Sequence, residues 1–184
     1  MTLFSKFFIA TCFTFGALIA PLAAEIYEIR LTIENISCPY CGKSIIQELK
    51  AIKGIQDAKI WPMEGIGMLQ WKKDTPFYAV QLFRTFYKTQ FFLKEVDVDV
   101  EGVIREKKGA TILESFPDGS VFYIDNPQDL HVDTFDNFNA RALKEGMQIR
   151  LRGMCTSQQG FNFLLVKEAL PPVGPTQATP DSNK

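Results

Sequence analysis

The sequence predicts an α+β protein in which a βαββαβ module is followed by a small all-β barrel. Three observations lead there. Apolar residues alternate over residues 26–35 and again over 96–100, the period of half-buried strands. Between those runs, apolar positions recur every three or four residues over 43–52, and again after Asp74-Thr75-Pro76, which is the helix period. Beyond residue 96 the helical period gives way to short strand-like runs separated by Gly-containing turns.

In the first strand, Ile29, Leu31 and Ile33 share one face while Arg30, Thr32 and Glu34 share the other. The chain then enters Ser37-Cys38-Pro39-Tyr40-Cys41-Gly42. Ile45, Ile46, Leu49 and Ile52 mark an amphipathic helix that ends near Gly54. Residues 58–61 and 67–71 read as two strands around a turn at Met63-Glu64-Gly65. Thr75 then suits a helix N-cap and Pro76 the first helical position, with Val80, Phe83 and Phe86 or Tyr87 as the buried stripe. Val96, Val98 and Val100 form the next strand. This order is the ferredoxin-like split βαβ arrangement, assigned to residues 25–95.

Residues 96–170 form the second predicted domain. Val103 and Ile104 continue a strand, and strands over 110–113 and 120–124 surround Pro117-Asp118-Gly119. Leu143-Lys144-Glu145-Gly146 turns into a strand over 147–154, and Gly160 leads into 161–166. About five short strands with one interruption, around 127–142, predict an OB-like β-barrel. A small β-sandwich is the alternative. Residues 171–184 (PPVGPTQATPDSNK) are rich in Pro, Thr and Ser, and a disordered tail is expected.

The 184 residues are 46% hydrophobic and 22% charged, with a formal net charge of -1. Nothing in that balance favours a phosphate backbone or an acidic lipid surface. Residues 1–24 read as a signal peptide: Lys6 is the positive start, 7–19 the apolar run, and Leu22-Ala23-Ala24 a small-residue cleavage site. A secreted or periplasmic protein is expected, touching a membrane only through this segment if it stays uncleaved. Ile9-Ala10-Thr11-Cys12 is a poor lipid-attachment box, because Cys12 lies inside the apolar run. Cleavage would leave Cys38, Cys41 and Cys155, an odd number, so the fold is not a disulfide-stapled miniature.

Cys38 and Cys41 sit where a strand meets a helix. Thiolates are soft ligands suited to Cu(I), Hg(II) or Zn(II), and two intervening residues let both sulfurs reach one ion. The helix start adds backbone N–H groups and the positive dipole end, which favour deprotonated sulfur. The same effects activate a redox dithiol, with Cys38 attacking and Cys41 resolving. A static disulfide is the third possibility. A closed four-ligand zinc site is hard to build, since His131 and Cys155 are the only further ligands of that kind after cleavage.

The strand before Cys38-Pro39-Tyr40-Cys41, the helix over 43–52, the Gly54-Ile55 turn, the Ile60 and Met68 strands and the Asp74-Thr75-Pro76 segment together resemble the heavy-metal-associated domain. That is the module of copper chaperones, copper-pumping ATPases and the periplasmic mercury scavenger. The resemblance spans residues 29–98, under half the chain. It implies one soft ion held between Cys38 and Cys41, with no catalytic step, and a metal-exchanging protein as partner. Two positions depart from the pattern. Ile36 stands where the family has Met, filling similar volume. Pro39-Tyr40 makes the motif CPYC, which resembles the glutaredoxin pair and keeps thiol-disulfide exchange as the alternative function.

Other residues carry weaker signals. Phe91 or Phe92 stands where the family often has an aromatic near the metal loop. Lys94 or Lys88 is placed to neutralise a bis-thiolate ion, and Tyr40 to meet a partner. Met63 and Met68 offer thioether sulfur, against the ordinary use of methionine as core filler. His131 reads as a surface residue and Cys155 as a small buried hydrophobe. Residues 96–170 hold eight Lys and Arg against twelve Asp and Glu, a net of -4. A barrel so charged does not suit single-stranded nucleic acid, despite Phe122, Tyr123, Phe135, Phe138, Phe161 and Phe163.

Overall fold

The computed structural model describes residues 25–36, 38–125, 132–133, 139–140 and 143–170. The signal segment, Ser37, His131, Phe135, Phe138, most of the 127–142 interruption and the 171–184 tail lie outside them. The described elements are β1 (Ile26–Glu34), α1 (Cys41–Lys50), β2 (Ile55–Trp61), β3 (Ile66–Trp71), α2 (Ala79–Tyr87), β4 (Phe92–Lys107), β5 (Ala110–Glu114), β6 (Val121–Ile124), β7 (Val132–Asp133), β8 (Asn139–Ala140), β9 (Gln148–Gln158) and β10 (Phe161–Leu170). The protein is therefore mixed α+β and mostly β. Its main sheet has eight strands in the order β2-β3-β1-β4-β5-β6-β10-β9, and β7 pairs with β8 apart from it.

Alternation in β1 decides how the first half assembles. Ile29, Leu31 and Ile33 are buried while Arg30 and Glu34 stay exposed. β1 lies antiparallel between β3 and β4, with Leu69 and Val98 on either side of Ile29. Neighbouring strands thus bring apolar side chains to one face. Helix α1 covers that face with Ile45 and Leu49. Gly54, at φ 111°, ends the turn after α1; a β-carbon there would overlap the Trp71 ring.

β4 is one strand of 16 residues, in which Val103 and Ile104 continue the run over 96–100 as expected. The expected boundary between residues 95 and 96 falls inside it. Along one edge β4 pairs first with β1 and then with β5; along the other it pairs with β9 over Asp97 to Val103. β5 pairs with β6, β6 runs parallel to β10, and β10 pairs with β9. Strands β4, β5, β6, β10 and β9 therefore close on themselves as a ring. Gly102 sits where β4 changes partner, and a β-carbon there would lie 2.5 Å from the Glu114 carbonyl oxygen. The strands approach this closely only because the position has no side chain. Ile104, Leu113, Phe122, Leu151 and Leu164 fill the ring, and they join the first half's apolar residues in one core cluster.

Helix α2 corrects the sequence reading. Thr75 and Pro76 do not open it; Tyr78 is the N-cap and Ala79 the first helical residue. The buried stripe is accordingly Ala79, Leu82 and Phe86, with Val80 and Phe83 half-buried and Tyr87 exposed. Phe77 explains the shift. Its ring is fully buried, edge-on to Trp71 at 5.1 Å and stacked on Phe122 at 5.8 Å. Its backbone N–H donates to Ser120 Oγ at 2.7 Å. Asn162 Oδ1 then accepts from the Ala79 N–H at 2.9 Å, while Asn162 Nδ2 donates to the Phe77 carbonyl at 2.8 Å. Side chains of the ring thus do the capping that a local Thr was expected to do. The first helix also differs slightly, since α1 includes Cys41 and ends at Lys50.

Candidate functional site

Antiparallel pairing brings three connections to one end of the first half. β1 finishes there at Glu34, opposite Phe92 at the start of β4. The Ile33 N–H donates to the Gly65 carbonyl at 2.7 Å, which draws the β2–β3 turn alongside. The loop carrying Cys38 lies between these neighbours. Ile36, two residues before Cys38, is buried in the core cluster, so an apolar residue of this volume anchors the chain as it leaves β1.

Cys38 precedes α1 and Cys41 is its first residue. The Cys38 carbonyl accepts the Cys41 N–H at 3.0 Å, and the Tyr40 carbonyl accepts the Lys43 N–H at 3.2 Å. Both thiols are free and half-exposed, and Cys41 packs partly against the core. Gly42 is buried, and a β-carbon there would come within 3.0 Å of Pro62 Cγ. A larger side chain would push the helix start, and Cys41 with it, off the β2–β3 turn.

The two sulfurs are electrostatically unequal. The Cys38 thiol lies below its ordinary pKa, chiefly through the hydrogen bond from Cys41; burial opposes this, and the Tyr40 and Cys41 backbone N–H groups add to it. The Cys41 thiol lies above its ordinary value, because its hydrogen bond to Cys38 favours keeping the proton, and burial and the Cys38 charge act the same way. The Cys38 sulfur is thus the readier of the two to ionise, at the positive end of a helix.

The other expected residues divide. Tyr40 is exposed beside the pair, as expected. Phe91 is buried whereas Phe92 is exposed, so Phe92 is the aromatic on the surface. Lys94 pairs with Glu34 at 3.0 Å, which directs its charge to a carboxylate. Lys88 is exposed at the C-cap of α2. Met68 is half-buried in β3, but Met63 is 74% exposed and fills no core. Cys155 is buried in β9, and burial pushes its thiol up to about 12. Among the described residues no group of three or more His, Cys, Asp and Glu converges, so Cys155 does not join the pair.

A polar cluster escaped the sequence reading. Asp99 is buried on β4, where Arg150 reaches it at 2.6 and 2.8 Å and Arg152 at 2.8 Å. Arg150 also lies over the Tyr27 ring at 4.2 Å, and the Tyr27 hydroxyl donates to Glu101 at 2.8 Å. Alternation of Asp97, Asp99 and Glu101 with valines was a legible signal for their common face. The arginines that answer them lie some fifty positions away. A groove of about 240 Å³ beside this cluster is lined by Glu28, Arg30, Asp97, Asp99, Arg152 and Lys167. Its charges compensate one another, with Lys167 to Asp97 at 2.6 Å and Arg30 to Glu28 at 3.6 Å. Such a network serves the strand packing.

No family model, no curated protein and no solved structure matches the chain.

Proposed function

We propose that the protein captures or hands over a soft metal ion through Cys38 and Cys41, with Cu(I) as first cargo and Hg(II) or Zn(II) behind it. The observation that carries this reading is the pair itself: two free, half-exposed sulfurs at a strand–helix junction, one already biased towards thiolate. Binding would displace the thiol protons that remain on the pair and leave two thiolates on one ion. A two-sulfur set suits soft ions of low coordination number better than zinc, whose structural sites take four ligands.

The heavy-metal-associated resemblance and the two-domain reading belong to the same proposal. In favour of a ferredoxin-like first domain is the sheet order β2-β3-β1-β4 with α1 and α2 between its strands. In favour of an OB-like second domain is the five-stranded ring with its single parallel pair, β6 and β10. Export, with residues 1–24 as signal peptide, would put the pair in an oxidising compartment. There a metal-exchanging protein is the proposed partner, and nucleic acid is not.

The unequal thiols favour one second reading, a thiol-disulfide oxidoreductase in which Cys38 attacks and Cys41 resolves. The deciding experiment is Cu(I) titration of the reduced chain against a chromophoric chelator, alongside Cys38→Ser and Cys41→Ser. One tightly held ion per chain, lost in both variants, is expected. Equal Cu(I) uptake by the chain and its variants would refute metal capture at the pair; the reduction potential would then test the redox reading.

A further inference from the structure

Exposed apolar side chains gather at the cysteine end of the molecule. Tyr40, Trp61, Met63, Tyr87 and Phe92 are all exposed. All lie in or beside the connections that converge there: the cysteine loop, the β2–β3 turn and the segment from α2 to β4. Four are aromatic. Met63 differs, because its thioether is a soft donor on a flexible, unbranched stem.

Packing explains most methionines, but not this one. Met63 is 74% exposed, so it contributes little to the core. Its turn is tied down on both sides. Pro62 lies against Gly42, the residue after Cys41. Gly65 accepts the backbone hydrogen bond from Ile33 near the end of β1. The turn's own bonds, Glu64 N–H to the Trp61 carbonyl at 3.1 Å and Gly65 N–H to the Pro62 carbonyl at 3.3 Å, hold Met63 at its tip. A soft, mobile sulfur is thereby presented on a rigid turn packed against the helix start that carries Cys41.

We infer that Met63 is a third sulfur ligand, closing over an ion already held by Cys38 and Cys41. The inference rests on the proposed reading of the pair and narrows its cargo. Two thiolates and a thioether form a soft trigonal donor set, which suits Cu(I). Zn(II) gains little from a neutral thioether and would still lack its usual fourth ligand. The thioether binds through a lone pair and carries no proton, so Met63 adds no proton release to that of the thiol pair.

The test compares the full reduced chain with Met63→Leu, a substitution of similar volume at an exposed position and therefore mild for the fold. Cu(I) affinity is read by competition with the chelator, and the number of sulfurs around copper by X-ray absorption. Met63→Leu should weaken Cu(I) binding by about tenfold, lower the sulfur count from three to two, and leave Zn(II) affinity unchanged. If Met63→Leu matches the parent chain in affinity and both give two sulfurs, the third ligand is refuted while capture by the pair stands. If the parent chain binds Cu(I) no better than Cys38→Ser, both the inference and the reading beneath it fall.

Discussion

Replacing Asn162 by Ala should loosen the attachment of α2 to the strand ring. Asn162 is 2% exposed and makes three hydrogen bonds: it accepts the Ala79 N–H and donates to the carbonyls of Phe77 and Val121. Truncation leaves all three backbone groups without that partner. A stranded buried polar group costs about 1–3 kcal/mol, and water entering the small space would recover part of it. The expected loss is therefore about 3–5 kcal/mol. With a urea slope of roughly 2 kcal/mol/M, the midpoint would fall by about 2 M. Trp71 is a suitable reporter, because it is buried, touches Phe77 edge-on, and donates its indole N–H to the Thr75 carbonyl at 2.6 Å. Its fluorescence and the far-ultraviolet circular dichroism should move together, since one core cluster runs through both halves and β4 is shared. Asn162→Asp keeps an acceptor for Ala79 but loses both donors and buries a charge, so it should not rescue stability. A loss below about 1 kcal/mol for Asn162→Ala would refute the idea that the ring caps this helix.

Two further predictions concern titrating groups. Burial works against the charge on Asp99, but hydrogen bonds from Arg150 and Arg152 and their positive charges outweigh it, so its carboxyl lies below the ordinary value. A lowered carboxyl stabilises the fold above its unfolded pKa of about 4, and that contribution disappears as pH falls through the lowered folded value. Denaturation curves from pH 6 to pH 2 should show this loss. Asp99→Ala should remove it and cost about 3 kcal/mol at neutral pH by stranding Arg150; an unchanged acid limb would contradict the assignment. Alkylation by iodoacetamide, located by mass spectrometry, should label Cys38 fastest, with a rate profile below the ordinary thiol range that rises in pH in Cys41→Ala. Cys155 should label only after unfolding, and native labelling of Cys155 at the Cys38 rate would overturn its placement in the core.

Much of the first half was legible because its signals are local. Alternation in residues 26–34 and the three-four spacing of Ile45, Leu49 and Ile52 each follow from one element burying one face. The cysteine loop was legible for the same reason, lying between an unmistakable strand and an unmistakable helix. Helix α2 was misphased because Thr75-Pro76 is a plausible local start and its real anchors, Ser120 and Asn162, are more than forty residues away. The continuity of β4 past Gly102 was legible from Val103 and Ile104, but the close approach to β5 that Gly102 permits was not, because Glu114 lies on a separate strand.

Composition, periodicity and spacing determined the α+β class, most strand and helix positions, and the choice of Cys38 and Cys41 as the pair to question. These are properties of short segments, where a side chain's neighbours are set by the period of its own element. Only the tertiary structure decided which edges of β4 meet β1, β5 and β9, how the strands close a ring, and that Lys94 is spoken for by Glu34. It also decided that Met63 stands in the open at the cysteine end, not in the core. Each of these depends on which distant strand edges meet, and no period within a single segment records the identity of a partner across the sheet.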